Sequence, residues 1–348
     1  MSAVKVLFAP DYRAANVYQG LLAEALAHEE VDVAFLSNYR RVLPLWRGIR
    51  DRADDLLHLH WPEAYYLPNY VRRIRYRLDL GLIAREMKIV LTAHDLMPHN
   101  RADELLVRLN IQFTIDCAKA VFVHSAAALE LLEKTYRVPR SKCHFIPHGD
   151  LTTRLVPLPS KYEARCALGF EQGQRICLMF GTVEPYKGIE PVVLWWRSHS
   201  PDAMLAIVGK PFSPEYARSL VDLAGNHPGI SFHLDWQLDD AHAAWLAAAD
   251  CMILNYRKIL TSGAACEARS VGLPILLPAR HKSIELGEPH KSVFRFDSLE
   301  TDFKNQLENA LRTNSNYECA RGWRECTSWR NVARKTAAVY RLVGSSSK

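Results

Sequence analysis

Short apolar runs alternate with amphipathic stretches along nearly the whole chain, and that alternation predicts the architecture. Residues 4–9, 31–36, 55–60, 88–93 and 120–124 read as strands, and residues 18–27 read as a helix with Leu21, Leu22, Ala25 and Leu26 on one face. These strands are continuously apolar, as expected of a parallel sheet covered by helices on both faces. Residues 151–160, with Pro157 and Pro159, break the rhythm and read as a linker. A second series follows, with strands at 176–180, 204–208, 230–234, 251–254 and 274–277 and helices at 190–196, 213–223 and 239–249. The expected fold is therefore α/β, with two consecutive doubly wound domains at 1–155 and 162–325 and a last amphipathic helix over 328–343. Ligands of such sheets sit beyond the carboxyl ends of the strands, so two facing domains are expected to enclose a cleft.

Composition narrows the class. About half of the 348 residues are hydrophobic and a quarter charged, as in a globular protein. Apolar runs such as 251–254 and 273–277 fall far short of the roughly 20 residues a membrane span needs. No basic and apolar leader precedes the first strand, so a cytoplasmic location is expected. The eight cysteines, at 117, 143, 166, 177, 251, 266, 319 and 326, form no C-x-x-C pair, and reduced thiols are expected instead of disulfides or zinc. The net charge of +6 is uneven, with eleven Lys/Arg against six Asp/Glu between Arg40 and Lys88. That bias suggests an acidic partner: phosphate, anionic lipid or nucleic acid. No nucleic-acid recognition motif accompanies it, so no nucleic-acid partner is expected.

Four segments carry candidate chemistry. In 180–190 a strand ends at Gly181, a loop carries Lys187 and Gly188 opens a helix, a combination suited to a diphosphate. In 255–268, Thr261 or Ser262 can cap the helix opening at Gly263, leaving amides aimed past the strand ends. Glu267 stands one turn further on, ready for ribose hydroxyls, and Arg257 and Lys258 are close enough in sequence to help neutralise phosphate. In the first domain, His58 and His60 share one face of a strand, and His94, Asp95 and His99 follow another. A metal reading would draw on these groups, but imidazoles at strand ends more commonly bind substrate, and no metal is expected. Gly149 in Pro-His-Gly is expected in an unusual backbone conformation. Trp195 and Trp196 read as core, and Trp236 as a surface for stacking on a nucleobase.

The order of these motifs resembles one known group. His-Asp near the fourth strand, Pro-His-Gly, Gly…Lys-Gly, Val-Gly-Lys at 208–210 and Ser-Gly…Glu-Ala…Gly-Leu-Pro are similar to the GT-B glycosyltransferases of the family 4 type. The final Ser-Trp helix resembles the helix that crosses back to the first domain in that fold. Within the group, Leu57-His58-Leu59-His60-Trp61-Pro62-Glu63, His94 to His99, Pro185-Tyr186-Lys187-Gly188 and Ser262-Gly263 are similar to β-mannosyltransferases of xanthan-type exopolysaccharide assembly.

The resemblance implies a nucleotide-sugar donor, GDP-mannose at best, and a glycan or polyprenyl-diphosphate-linked acceptor, with no cofactor. It implies donor contacts from Gly181, Lys187, Lys210, Trp236, Tyr256, Arg257, Ser262, Gly263 and Glu267. Acceptor contacts would come from Asn16, His60, Trp61 and His99, and catalytic roles would fall to His94, Asp95, Glu63 and Lys187. The alternatives are a UDP-sugar-dependent transferase with another acceptor, or a sugar-nucleotide epimerase or phosphorylase on the same architecture. The sequence departs from the family pattern at three places. Ile259 stands where the first of two glutamates is usual, Thr182 and Glu184 where an arginine is usual, and residues 11–16 replace a Gly-Gly loop. Between 65 and 88, Arg72, Arg73, Arg75, Arg77 and Arg85 are interleaved with Tyr65, Tyr66, Tyr70, Tyr76, Leu78, Leu80, Leu82 and Ile83. This stretch is expected to touch an anionic membrane from the cytoplasmic side.

Overall fold

The computed structural model describes residues 3–37, 42–50, 52–66, 70–94, 104–257, 260–281, 292–315 and 320–345. Contacts divide the chain into two units, residues 1–149 with 326–348, and residues 150–325.

The first unit is built in chain order from β1 (Val4–Ala9), α1 (Tyr18–Ala27), β2 (Val31–Phe35), α2 (Pro44–Ile49), β3 (Leu56–Leu59), α3 (Glu63–Tyr66), α4 (Tyr70–Glu86), β4 (Lys88–Thr92), α5 (Glu104–Cys117), β5 (Ala120–Val123), α6 (Ala126–Tyr136) and β6 (Cys143–Phe145). All strand pairs are parallel, in the order β2-β1-β3-β4-β5-β6. The order reverses at β1/β3, and the carboxyl ends of those two strands form the crevice where such sheets hold ligands.

The second unit contains α7 (Lys161–Leu168), β7 (Ile176–Phe180), α8 (Ile189–His199), β8 (Met204–Val208), α9 (Pro214–Ala224), β9 (Ile230–His233), α10 (Asp239–Ala248), β10 (Cys251–Ile253), α11 (Gly263–Ser270), β11 (Ile275–Pro278), β12 (Val293–Phe296) and α12 (Phe303–Arg312). Its parallel order is β12-β11-β10-β7-β8-β9, with the reversal at β7/β10. Alternation along β7 splits the core between the sheet's faces. Ile176, Leu178 and Phe180 pack into one cluster, and Cys177 and Met179 into the other. Trp195 and Trp196 belong to the second cluster, as expected of core residues.

After α13 (Arg321–Thr327) the chain ends in α14 (Trp329–Ser345), which belongs to the first unit. Trp329, Val332, Ala333, Thr336, Ala337 and Tyr340 form its buried stripe, and it packs on α1. The Tyr340 hydroxyl lies 2.6 Å from His58 Nδ1, and Lys88 Nζ donates to the Gly344 carbonyl at 2.8 Å. Gly149 has φ +93°, and a Cβ there would sit 2.5 Å from the Trp329 ring, so both its conformation and its lack of a side chain are required.

Two expectations change. Residues 151–155, read as linker and as the end of the first domain, form a 3-10 turn of the second unit, with Leu155 in its core. The apolar spacing of Leu151 and Leu155 outweighs the later prolines. In 65–88, Tyr65, Tyr66, Tyr76, Leu80 and Ile83 are buried, so these side chains are core and not a membrane-facing set. Among the described residues no helix is long and apolar enough to cross a membrane.

Candidate functional site

In the second unit, the loops leaving β7 and β10 meet at the sheet reversal. Gly181 directly follows β7 at φ +92°, and a Cβ there would lie 2.9 Å from Lys187 Nζ. Lys187 is buried and donates to the Phe180 carbonyl at 2.9 Å. Burial pushes its ammonium down to about 8, against the opposing pull of Glu184 and Glu267. Gly188, at φ +61°, precedes α8, and its carbonyl accepts from Asn255 Nδ2 at 2.8 Å. A Cβ at Gly188 would sit 2.3 Å from the Asn255 carbonyl oxygen.

Across the reversal, Ser262 caps α11 by accepting from the Ala265 amide at 3.1 Å, and its hydroxyl lies 3.0 Å from that of Tyr256. Tyr256 stacks on Tyr186 with ring centroids 5.9 Å apart. The turn carrying the buried lysine and the capped start of α11 therefore share one corner of the unit, which favours an anion.

Glu267 is buried and contacted at both carboxylate oxygens. Arg154 Nη1 approaches Oε1 at 3.5 Å, and His242 Nε2 approaches Oε2 at 3.3 Å. Burial raises the carboxyl, but His242 and Arg154 together outweigh it and hold the group below the usual carboxylate range. Arg154 Nη2 lies 2.9 Å from His242 Nδ1. Guanidinium can only donate, so His242 Nδ1 accepts and its proton sits on Nε2, facing Glu267. No local motif marks Arg154 or His242 as part of the site. They lie 113 and 25 residues before Glu267, and only folding brings them to it.

The other expected donor residues are more open. Lys210 and Trp236 are exposed, Trp236 at 58% in the loop after β9. Arg257, expected on phosphate, is exposed and lies 3.4 Å from Glu190. Gly263 is the first residue of α11. Lys258 and Ile259 fall outside the described residues.

In the first unit, His60, His94 and His124 form a chain at the carboxyl ends of β3, β4 and β5. His124 Nδ1 lies 2.8 Å from the Ile146 carbonyl, which can only accept, so the proton is on Nδ1. Its Nε2 then accepts from His94 Nδ1 at 3.4 Å, and His94 Nε2 accepts from His60 Nδ1 at 3.3 Å. All three rings are neutral. Burial drives His60 and His94 well below the ordinary histidine range and His124 to about 3, with neighbouring imidazoles adding to the effect. The free end of the chain is His60 Nε2, a buried lone pair without a hydrogen-bond partner.

This chain changes the reading of His94. Both its ring nitrogens are used, so in this conformation it has no free nitrogen for acid–base work. Its face stacks on Trp61 at 4.2 Å and 10°. Glu63, at the start of α3, lines a small cavity with Trp61, Tyr66, His94 and Thr114. Asn16 Oδ1 accepts from the Tyr18 amide at 2.9 Å and so sets the start of α1. Asp95 and His99 lie outside the described residues. No group of three or more His, Cys, Asp or Glu among the described residues is arranged to hold a metal ion.

The neutral histidines predict acid sensitivity. With folded-state values below the unfolded value of 6.5, their stabilisation is complete above pH 6.5 and is lost as pH falls toward the folded values. Each costs up to about 1.4 kcal/mol per pH unit below 6.5. Urea midpoints should drop steeply between pH 6.5 and 5, and a flat profile would contradict neutral burial.

Residues 6–151 match the model of Glycosyltransferase Family 4. A GDP-mannose:glycolipid 4-beta-D-mannosyltransferase of Xanthomonas campestris pv. campestris is 27% identical over 256 residues. That match covers 67% of this chain and 64% of the relative, just under two thirds of its length. Sucrose-phosphate synthase from Thermosynechococcus elongatus superposes with a TM-score of 0.76 at 16% identity, covering 99% of both chains. Anabaena HepE, solved with UDP-glucose, gives 0.71 at 15% identity and covers 97% of this chain and 99% of its own. At these identities the structural likeness is one of fold. Residues 6–151 are thus similar to Glycosyltransferase Family 4, and the chain has the two-domain, Rossmann-like GT-B fold.

Proposed function

We propose that the protein transfers a hexose, mannose from GDP-mannose, to a glycan carried on a polyprenyl diphosphate during exopolysaccharide assembly. The observation that carries the reading is the buried Lys187 beside Gly181 at the β7/β10 reversal, with the capped start of α11 in the same corner. The relative named for GDP-mannose and a glycolipid supplies the substrate class.

In this reading Lys187 and the first amides of α11 hold the donor diphosphate and stabilise it as it leaves, without need of a metal. Glu267, oriented by Arg154 and His242, faces the ribose, and Trp236 offers its exposed ring to the base. The first unit presents the acceptor, with His60 and the Trp61–His94 stack forming its floor. An inverting reaction needs a base for the acceptor hydroxyl. Glu63 at the cavity beside Trp61 suits that task, with Asp95 as the other carboxylate.

The test is calorimetric titration with GDP, UDP and ADP, with and without EDTA. The reading expects GDP to bind most tightly and EDTA to change nothing. Preference for UDP would retain nucleotide-sugar transfer and replace mannose, and failure of all three nucleotides to bind would overturn the reading.

A further inference from the structure

A nucleoside diphosphate carries about three negative charges near neutral pH. Against them Lys187 sets one positive charge, and the first amides of α11 set roughly half of another. Glu184 and Glu267 both bear on that lysine and subtract from the local positive charge. A second cation at the same corner would close most of the gap.

Residues 255–257, which follow β10, tie the corner together. The Asn255 side chain donates to the Gly188 carbonyl, the Arg257 amide donates to the Tyr186 carbonyl at 2.7 Å, and the Tyr256 hydroxyl lies beside that of Ser262. The Tyr256 carbonyl, in turn, takes two donors from the loop after β11. Arg280 Nη2 donates to it at 2.9 Å, and His281 Nε2 donates to it as well. Arg295, on the edge strand β12, donates through Nη1 to the His281 carbonyl at 3.2 Å.

These bases face no acid. Among the described residues Arg280 and Arg295 meet backbone carbonyls alone, and neither forms an ion pair. His281 registers the resulting field. Burial holds its imidazole below the ordinary histidine range, and Arg280 and Arg295 push the same way against the Tyr256 carbonyl. The other cations nearby are placed differently. Arg257 is drawn to Glu190, and Lys210 follows β8, on the other side of β7 from β10 and β11.

The spacing suits a diphosphate. Lys187 Nζ is anchored on the Phe180 carbonyl of β7, and Arg280 Nη2 on the Tyr256 carbonyl just past β10. The strands pair Cys177 with Cys251 and Leu178 with Met252, which sets Phe180 level with Leu254, two residues short of Tyr256. With about 4.8 Å between neighbouring strands and about 3.3 Å per residue along them, the two carbonyls stand about 8 Å apart. Hydrogen bonds of about 3 Å from each cation leave room between them for the outer oxygens of one diphosphate. Arg280 is exposed, spends a single N–H donor on Tyr256, and keeps the rest of its planar fork for phosphoryl oxygens.

We propose that Arg280 is the second cation of the donor site, held on the Tyr256 carbonyl so that it grips one phosphoryl group of the diphosphate while Lys187 grips the other. This assignment rests on the donor reading above.

The experiment is calorimetric titration of the full chain with GDP and with inorganic pyrophosphate, at low and high salt. Arg280→Gln is expected to weaken both ligands by about ten- to a hundredfold and to reduce the salt dependence of binding. Arg280→Lys, which keeps the charge without the fork, should recover part of the loss. Arg312→Gln removes the same charge from the carboxyl end of α12 and should bind like wild type. Unchanged circular dichroism melts would show that the variants fold. Arg280→Gln binding both ligands like wild type, Arg280→Lys binding no better than Arg280→Gln, or an equal loss in Arg312→Gln would overturn the assignment. If Lys187→Met loses GDP and Arg280→Gln does not, the assignment falls and the donor reading stands. Pyrophosphate binding that both variants lose, in a protein that binds no nucleotide, would sink the transfer reading and leave the pair of cations standing. Wild type that binds neither ligand would overturn both.

Discussion

Lys187→Met is expected to weaken nucleoside diphosphate binding by about 2–4 kcal/mol, some thirty- to a thousandfold, while leaving the protein folded. The ammonium is buried and its proton is held weakly, with the group pushed down to about 8 from 10.5. The unfolded chain therefore binds that proton more tightly, so the charged lysine costs stability below pH 8, and the cost fades as pH rises from 8 toward 10.5. A buried methionine carries no such cost, so the variant should melt no lower than wild type at pH 7. A diphosphate beside Lys187 favours the charged form. Wild-type affinity should fall as pH rises through about 8, and binding at pH 8.5 should take up a proton, read by calorimetry in two buffers of different ionisation enthalpy. In Lys187→Met both effects should vanish. Tight binding by the variant, or proton uptake that survives in it, would remove Lys187 from the diphosphate site.

Gly209→Ala should have the largest effect on stability. Gly209 stands at φ +134° just after β8, and a Cβ there would lie 2.1 Å from the Gly181 carbonyl oxygen and 2.7 Å from its carbon. Both atoms are backbone, and both segments are tied down. The Gly181 amide donates to the Val208 carbonyl at 3.0 Å, and the Gly209 amide donates to the His233 carbonyl at 2.9 Å. No rotamer relieves the clash, so β7 or β8 must move. A loss of about 3 kcal/mol or more is expected, together with displacement of the turn that carries Lys187. For a unit of this size that corresponds to a fall in Tm of roughly 6–12 °C, measurable by calorimetry. Gly173→Ala is the control, since its Cβ would meet nothing within 4 Å and its φ is not in the left-handed region. Its Tm should stay within about 2 °C of wild type. Equal melting of the two variants would refute the packing argument.

Sequence pattern alone determined much of this protein. Strands buried on both faces are written as continuous apolar runs, which is why β1 to β5 and β7 to β11 were legible to within a residue or two. β6 and β12 were not, since Cys143–Phe145 and Val293–Phe296 are short edge strands without a continuous apolar run. Gly181, Lys187, Gly188 and Ser262 were legible because turn geometry and helix capping are local, imposed by a few consecutive residues. The tertiary structure alone decided what depends on distant partners. Arg154 and His242 reach Glu267 across 113 and 25 residues, and His60, His94 and His124 link one to the next only because neighbouring strands place their ends side by side. It also decided which side of α4 faces water. The helix carries apolar residues all round, and its rotation is set by Asp79 on α2 and Arg77 on α5, not by its own hydrophobic pattern. Hydrogen bonds and burial at such positions are properties of the assembled sheet, and no local stretch of sequence encodes them.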